Sequence, residues 1–448
     1  MLKLILLQIE QTPVPHDIPL ELPLPEWLLV GLLIVSFLAH ILFVNLMLGG
    51  SILTLWAQVL GLRNKEYDVL AHEIARTITV NKSMAVVLGV APLLSINTLY
   101  TVYFYSANTL TGLMWVAIIP LVVIAFLLTY LHKYTWHQLE ENKALHISII
   151  ALAVLVFLFI PLIFLTNINL MLFPEKWGTI RGFVSAMTLD NVFPRYLHFL
   201  FASLAVTGLF LFWYIGRRSY PFDDLFKQLT RYDIQKKAYS LTLAASVAQF
   251  IMGPLVLITL PSKGIGYNLI LTIFSGATIA LFAMWWMWKA ITGPQNEIGK
   301  GFGRIAIAMT ITVLFMGTGR HIYRANALAP HQKLMAAKTS EFLRQVEDAR
   351  ANPVLKAEEP DDATGEFAPG IKVFKANCAI CHKVDEKLVG PPVKEMAVIY
   401  GDDLNGLKDW IKRPGKKRED YPQMPGFPQL SDSDLENLTK YILSNKQN

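Results

Sequence analysis

Long apolar runs separated by short polar connections occupy most of the sequence between Trp27 and Gly319. A helix that crosses a bilayer needs about 20 mostly apolar residues. The runs that meet this requirement lie near 27–60, 84–106, 110–131, 145–165, 194–215, 239–260, 268–291 and 303–319. The first run is longer than a bilayer is thick, so its helix must tilt or project. The pattern predicts an all-α, polytopic bundle of about eight transmembrane helices.

After Gly319 the sequence becomes that of a soluble protein. Residues 328–350 are polar and favour a helix, whereas 352–370 combine Pro, Gly and a run of acids, which is typical of a linker. The predicted organisation is an extracytoplasmic segment over 1–26, a membrane domain over 27–322, an extracytoplasmic helix and linker over 323–364, and a small all-α domain over 365–448.

The composition agrees with a membrane protein, since 53% of residues are hydrophobic and only 17% are charged, against about 25% charged in ordinary globular chains. The net charge is +6, but Lys and Arg lie mainly in connections between apolar runs. We therefore expect membrane lipid as a partner and no nucleic acid. The two cysteines lie in one short motif, which excludes a disulfide framework.

The basic residues of the membrane domain favour one set of connections, which the positive-inside rule assigns to the cytoplasm. They are Arg63, Lys65, Arg76, Lys82, Lys133, Lys143, Arg217, Arg218, Lys227, Arg231, Lys236, Lys237 and Lys289. Eight spans then place both termini outside. The N-terminus lacks the pattern of a removable signal peptide. We expect a multi-pass protein of the bacterial inner membrane with its C-terminal domain on the periplasmic side.

The motif Cys378-Ala379-Ile380-Cys381-His382 carries the clearest chemistry in the chain. A CxxCH sequence is the attachment pattern of a c-type haem: the thiols bond the two vinyl groups and the histidine meets the iron. This predicts one covalent haem c outside the cytoplasm. The second iron ligand should be a distant soft or imidazole donor, and Met424 is favoured over Met396 or a remote histidine.

The surroundings of this motif resemble class I cytochromes c over about 365–446. The resemblance rests on Gly370, Phe374, the Val389-Gly390-Pro391-Pro392 segment, Met424, and a final helix that begins near Ser431 with Leu435, Leu438, Tyr441 and Ile442 on its apolar face. It implies that the Gly-Pro segment packs near His382 and that Met424 is the sixth ligand.

Two histidines lie within predicted spans, where ionisable residues are functional by default. His198 lies about one turn inside its span and His40 lies deeper. Each could instead hydrogen-bond to a neighbouring helix, but two on the haem c side favour ligation of one or two b haems. Arg320 would either pair with haem propionates or reach the interface. His321 could ligate a haem or hydrogen-bond at the interface. The histidines interpreted as ordinary residues of loops and interfaces are His72, His132, His137, His146 and His331.

The same segment resembles the large subunit of cytochrome bd quinol oxidases. The resemblance rests on the sequences around His40, Leu88-Gly89-Val90-Ala91, His198 with Thr207-Gly208, and Gly319-Arg320. It implies that both histidines bind haem and that quinol is a substrate.

The chain also departs from that family. Gly317 and Thr318 replace a haem-ligating Glu, Ser95 to Thr98 replace acids, Phe274 or a neighbour replaces a Met ligand, and the long quinol loop is absent between the sixth and seventh spans.

These observations favour an electron-transfer subunit that passes electrons between quinol, b haem, haem c and an external cytochrome or respiratory-complex partner. A bd-like terminal oxidase is the first alternative, which the missing acids disfavour. A haem-free membrane anchor that presents the cytochrome within a larger respiratory complex is the second. Whether the chain is part of a quinol-oxidising enzyme stays open.

Overall fold

The computed structural model describes residues 22–351, 365–416, 418 and 421–446. Most of the predicted N-terminal segment and most of the predicted linker therefore lie outside the described residues. The described part consists of α-helices and short 3-10 helices, with no strand. It forms two compact units, Met1–Ser340 and Glu341–Asn448. The prediction of an all-α fold with a helical membrane bundle is confirmed.

Seven helices of the first unit are long and apolar enough to cross a membrane, and a bent pair makes an eighth candidate span. The single helices are α1 (Glu26–Gly61), α4 (Leu113–Tyr134), α5 (Lys143–Leu170), α7 (Val192–Gly216), α9 (Arg231–Thr259), α10 (Tyr267–Thr292) and α11 (Phe302–Ala351). The bent pair consists of the Ser83–Leu99 part of α2 (Lys65–Leu99) and of α3 (Thr101–Thr111). The short helices α6 (Phe183–Met187) and α8 (Phe222–Leu225) lie in connections.

The second predicted span is not straight, because the chain bends by 109° between α2 and α3. Tyr100 leaves the helical conformation at the bend, with φ −134° and ψ 38°. Thr101 Oγ1 donates to the carbonyl of Asn97 at 2.6 Å, which satisfies an acceptor that the break would otherwise leave free. Gly112, at φ 58°, then turns the chain into α4. The apolar sequence continues through the bend, which is why the pattern predicts one span.

The last span and the polar segment after it form one helix, since α11 runs without a break over 50 residues. At 1.5 Å per residue this is a length of about 75 Å. The sequence predicts two elements here because the hydrophobic pattern ends near Gly319. The backbone hydrogen bonds of the helix continue beyond the point where the hydrophobic pattern ends. The division between the two units falls within α11.

Helices α1 and α7 pack closely through small and polar residues. Gly49 on α1 has no room for a Cβ, which would meet Thr207 Oγ1 and the carbonyl of Ser203 on α7. Ser203 Oγ also donates to Asn45 Oδ1 at 3.0 Å. Close helix contact at small residues, with hydrogen bonds between the helices, is typical of membrane interfaces. These contacts fix the relative height of α1 and α7.

Two ends of the bundle are named by residues below. The Arg320 end is the one where α1 and α7 begin, and Arg320 lies there over the Phe37 ring at 4.8 Å. The His146 end is the one where α1 finishes, since Gln58 near the end of α1 contacts His146.

The second unit contains α12 (Ala368–Asn377), α13 (Val393–Tyr400), α14 (Leu404–Lys412) and α15 (Asp432–Ser444). Its core joins the first and last helices: Phe374 packs edge-on against Tyr441 with ring centroids 5.4 Å apart. A Cβ on Gly370 would meet the carbonyl of Asn437 and would lie 2.7 Å from Tyr441 Cβ. The predicted start of the last helix agrees with the structure, since Asp434 N donates to Ser431 Oγ at 3.1 Å.

Candidate functional site

The Cys378–His382 motif forms a tight turn at the end of α12. The backbone N–H groups of Cys381 and His382 both donate to the carbonyl of Cys378, at 3.0 and 2.9 Å. This turn brings two free thiols and one imidazole together. Such a set can form two thioether bonds to a planar macrocycle and offer one nitrogen to its iron.

The imidazole of His382 is held by the segment that follows the motif. His382 Nδ1 lies 2.8 Å from the carbonyl oxygen of Pro391, and because a carbonyl only accepts, Nδ1 carries the proton. Nε2 is then the nitrogen with a free lone pair, as in histidines that bind metals. Gly390 lies against the ring, where a Cβ would overlap Cε1. The predicted proximity of the Gly-Pro segment to His382 is therefore present.

The thiols are not arranged as a thiolate metal site. Burial, with a smaller contribution from Cys381, raises the pKa of the Cys378 thiol to about 11. A thiol with so high a pKa is neutral near pH 7, whereas metal ligation requires the thiolate. No group of three or more His, Cys, Asp or Glu side chains that could hold a metal ion occurs among the described residues, so the motif does not form a multi-ligand metal site with its neighbours.

Met424 lies half-buried in the loop before α15, and that loop is anchored on α14. Phe427 N donates to the carbonyl of Ile411 at 2.9 Å, and Gly426 packs on the carbonyl of Lys412, 2.7 Å from the position that a Cβ would take. Met396, the alternative ligand, packs against the core that contains Phe374 and Cys378. Both methionines are half-buried, and Met424 stays the predicted sixth ligand.

In the membrane unit, His40 is oriented by α2. Its Nδ1 lies 2.8 Å from the carbonyl oxygen of Ala85, so Nδ1 carries the proton and Nε2 has the free lone pair. The ring packs on Gly89, where a Cβ would lie 2.9 Å from His40 Cε1. The Gly89 position that carries part of the bd resemblance thus makes room for this imidazole.

His198 lies on α7 near the Arg320 end, and its buried Nδ1 has no hydrogen-bond partner among the described residues. A buried polar atom without a partner is unfavourable and calls for an explanation. A group that occupies the space beside the ring would supply one. Both histidines therefore fit the requirements of haem ligands.

The register of α1 and α7 relates these two histidines. His40 lies five residues before Asn45, His198 lies five residues before Ser203, and Asn45 and Ser203 are hydrogen-bonded. The helices are parallel, because Gly49, four residues after Asn45, meets Thr207, four residues after Ser203. The histidines are thus at the same height. Five residues turn a helix by about 140°, so both rings face away from the α1–α7 contact, on opposite sides of the pair.

Arg320 lies beside α1, where its guanidinium covers the ring of Phe37, three residues before His40. One turn further along α11, Arg324 covers the Tyr100 ring at 5.1 Å and is only 7% exposed. Arg195 lies one turn before His198 on α7 and is near enough to Arg324 for their charges to repel. Among the described residues, none of the three has a carboxylate within 4 Å. The sequence pattern predicts Arg320 but not its neighbours, which only the packing of α7 against α11 brings close.

At four of the positions that depart from the bd family, the structure shows ordinary helix contacts or exposure. Ser95 Oγ and Thr98 Oγ1 donate to carbonyls of their own helix, at 2.9 and 3.0 Å. Gly317 packs against Leu38, whose Cδ2 would lie 3.1 Å from a Cβ. Phe274 is 65% exposed on the lipid-facing surface, so that position does not point into a site.

Two histidines interpreted as ordinary loop residues are instead buried at the His146 end. His132 is 1% and His146 is 0% exposed, and their rings stack with centroids 4.0 Å apart. Gln58 bridges them: its Oε1 lies 2.9 Å from His132 Nε2, and its Nε2 lies 2.6 Å from His146 Nδ1. The sequence gives no signal for this, because Gln58 is 74 residues from His132.

His331 also differs from the sequence interpretation, since it is 2% exposed within α11. Its Nδ1 lies 3.0 Å from Tyr103 Oη on α3. The bend at Tyr100 brings Tyr103 to this position, which explains why the sequence alone does not reveal the pair.

Residues 367–446 match the family model described as Cytochrome c. The chain is 32% identical over 75 residues to cytochrome c6 of Cyanidium caldarium, covering 17% of this chain and 67% of the relative. It is also 32% identical over 82 residues to cytochrome c-551 of Azotobacter vinelandii, covering 17% of this chain and 98% of the relative. The chain thus belongs, through its C-terminal unit, to the cytochrome c family, and it is an electron-transfer protein that uses haem c.

Most of the chain resembles in fold the bd oxidase from Geobacillus thermodenitrificans, with a TM-score of 0.52 and 14% sequence identity. The match covers 74% of this chain and 98% of that one. The predicted resemblance in fold is therefore confirmed. The particular architecture is a bd-like helical membrane bundle joined to a C-terminal cytochrome c domain.

Proposed function

We propose that this protein carries electrons between b haems in its membrane unit and a covalent haem c in its C-terminal unit. The observation that carries the proposal is the pair His40 and His198, each presenting an imidazole without a protein partner for one nitrogen, in a chain that also carries a cytochrome c domain. A bound haem supplies a one-electron Fe(III)/Fe(II) couple. The protein's part is to bind, orient and insulate these groups.

In the C-terminal unit, Cys378 and Cys381 would hold the haem through thioether bonds, and His382 and Met424 would be the axial ligands. The Pro391 carbonyl holds the proton of His382 on Nδ1, which would leave Nε2 free to bind the iron of a haem. A thioether opposite the imidazole raises the reduction potential relative to two histidines. This choice of ligands suits a carrier that accepts electrons from b haems.

In the membrane unit, His40 and His198 would serve two different haems. Their rings lie at one height but on opposite sides of the α1–α7 pair, so a single haem between them does not fit. Ala85 orients the first imidazole. Arg320, near the same end, would neutralise a propionate. This favours two b haems over the single one that the sequence left open.

We further propose a quinol of the bilayer as electron donor and an extracytoplasmic cytochrome or a respiratory-complex subunit as acceptor. Quinol oxidation releases two electrons and two protons, and haems accept the electrons one at a time. The connection between α9 and α10 is short, Leu260 to Gly266, so no long quinol loop exists there. The charge of the connections supports the bacterial inner membrane and a periplasmic cytochrome domain.

The terminal oxidase is the less favoured alternative, because Ser95, Thr98 and Gly317 offer no carboxylate where the bd family has one. The haem-free anchor does not explain why His40 and His198, both half-buried, each keep one ring nitrogen without a protein partner among the described residues. Haem quantification separates these possibilities. We expect a pyridine haemochrome spectrum of the purified protein to give two b haems per haem c. One haem c with no b haem would refute the proposal and favour the anchor.

A further inference from the structure

We propose that Arg195, Arg320 and Arg324 together form a binding site for the two carboxylates of the b haem that His198 holds. The proposal rests on the function proposed above and extends it from a single arginine to a site shared by α7 and α11. The three guanidinium groups lie at the Arg320 end of the bundle. The site is identified by the lack of carboxylate partners for these groups among the described residues and by their position near His198, and not by a sequence motif.

The charge of this cluster is uncompensated. Arg324 is 7% exposed, and its contact is the Tyr100 side chain, which offers no negative charge at neutral pH. Arg320 faces the Phe37 ring. Glu26, the acid of the first turn of α1, makes no ion pair with any of the three arginines among the described residues. Arg324 is buried, Arg195 and Arg320 are half-buried, and charges of one sign in such surroundings are costly unless a counter-charge is bound.

Two other carboxylates on the segment between α5 and α7 already have lysine partners. Glu175 pairs with Lys263 at 2.8 Å, and Asp190 lies 3.7 Å from Lys176. The three arginines repel one another, so more than one negative charge is needed to neutralise the cluster. An external anion with more than one negative group would satisfy it. Guanidinium groups suit carboxylates because they donate two parallel hydrogen bonds.

The position of the cluster identifies the anion. Arg195 is three residues before His198, so the two side chains share a face of α7 and differ in height by about 4.5 Å. Arg320 and Arg324 are four residues apart and share a face of α11. A haem bound by His198 carries its two carboxylates at its edge. The arginines are placed to receive that edge between α7 and α11.

The test compares redox titrations of the b haem in holoprotein carrying R195Q, R324Q or R195K. Without the positive charge, uncompensated carboxylates favour ferric iron. We expect R195Q and R324Q to lower the ferrous-to-ferric ratio at a fixed potential about tenfold, which is a shift of about 59 mV for one electron. R195K keeps the charge and should recover at least half of the shift.

The matched control is R181Q, because Arg181 is exposed and its guanidinium bonds to the carbonyl of Gly178 at 2.9 Å. We expect its titration to coincide with that of the wild type. Wild-type potentials in both R195Q and R324Q would overturn the proposal. So would unchanged potentials with one fewer tightly bound phospholipid per protein, since the anion would then be a lipid phosphate.

If R195Q loses the b haem altogether, R195K tests whether the positive charge is what matters. A retained haem with a potential near that of the wild type would support the role of the charge. A lost haem would refute it. Failure of the underlying function is distinguishable, because wild-type protein would then contain no b haem before any arginine is changed.

Discussion

Ser203 Oγ donates a hydrogen bond of 3.0 Å to Asn45 Oδ1, and this bond sets the height of α7 against α1. His40 and His198 each lie five residues before a member of this pair. Their equal height and opposite directions follow from the bond and from helix geometry. The membrane unit therefore offers two separate ligand sites on either side of one helix pair.

Each of the two histidines should control its own b haem. We expect His198→Ala to remove one b haem and His40→Ala to remove the other, so each single variant retains one b haem per haem c. The double variant should retain none, because independent sites behave additively. Pyridine haemochrome spectra measure the ratio directly. His137→Ala, at an exposed position, is the control. Loss of all b haem in either single variant would contradict separate sites.

Met424→Ala should lower the reduction potential of haem c and leave the haem attached. The thioether stabilises ferrous iron, whereas attachment depends on Cys378 and Cys381. Redox titration gives the potential, and haem staining of a denaturing gel reports attachment. Met396→Leu conserves the volume of a side chain that packs in the core, so it should leave the potential unchanged. A potential unaffected by Met424→Ala would refute this ligand.

Gly390→Ala should disturb haem c through the imidazole that it touches. An added Cβ would overlap His382 Cε1, and the displaced ring would lose its bond to the Pro391 carbonyl. We expect a lower yield of haem c and a weakened iron–histidine band in the Raman spectrum. Gly365→Ala is the control, because a Cβ there meets nothing within 4 Å. Equal haem yield and spectra for both variants would disprove the contact.

Gln58→Leu should destabilise the membrane unit at the His146 end. It leaves His132 Nε2 and His146 Nδ1 buried without partners, and each unsatisfied group costs about 1–3 kcal/mol. The midpoint of thermal unfolding, followed by circular dichroism in detergent, should fall. Gln138→Leu changes an exposed residue and should have little effect. The haem content of folded Gln58→Leu protein should equal that of the wild type.

Glu66 should make the protein sensitive to acid. Burial alone would raise the pKa of its carboxyl, but bonds from the backbone N–H groups of Leu229, Gln228 and Lys227, with the Lys227 charge, lower it below 4.5. The stabilisation is therefore complete above pH 4.5 and is lost as the pH falls through the lowered value.

Glu66→Gln tests this effect. Its amide keeps one acceptor oxygen, so we expect a loss of about 1 kcal/mol at neutral pH and a weaker dependence of the unfolding temperature on acid. Glu140→Gln, at an exposed position, should reproduce the wild-type pH profile. An identical acid dependence in both variants would show that the Glu66 contacts contribute nothing.

The sequence predicts those features that depend on local pattern. The spans follow from apolar runs, the start of the last helix follows from Ser431, and the haem c motif follows from the spacing of Cys378, Cys381 and His382. The bend at Tyr100 is not predicted, because neither Pro nor Gly occurs there and the bend depends on tertiary packing. The relation between His40 and His198 also escapes the sequence, since it requires knowing that α1 and α7 are neighbours.

The hydrogen bonds around Gln58 form a closed ring in which every donor and every acceptor is fixed. The carbonyl of His132 can only accept, and it lies 2.7 Å from His146 Nε2, so His146 Nδ1 must accept from Gln58. The Gln58 oxygen must then accept from His132 Nε2. Proton hopping along such a chain requires every bond to reverse, and a peptide oxygen cannot become a donor. The ring of bonds around Gln58 therefore holds His132 and His146 in fixed tautomers and does not itself relay a proton from one imidazole to the other.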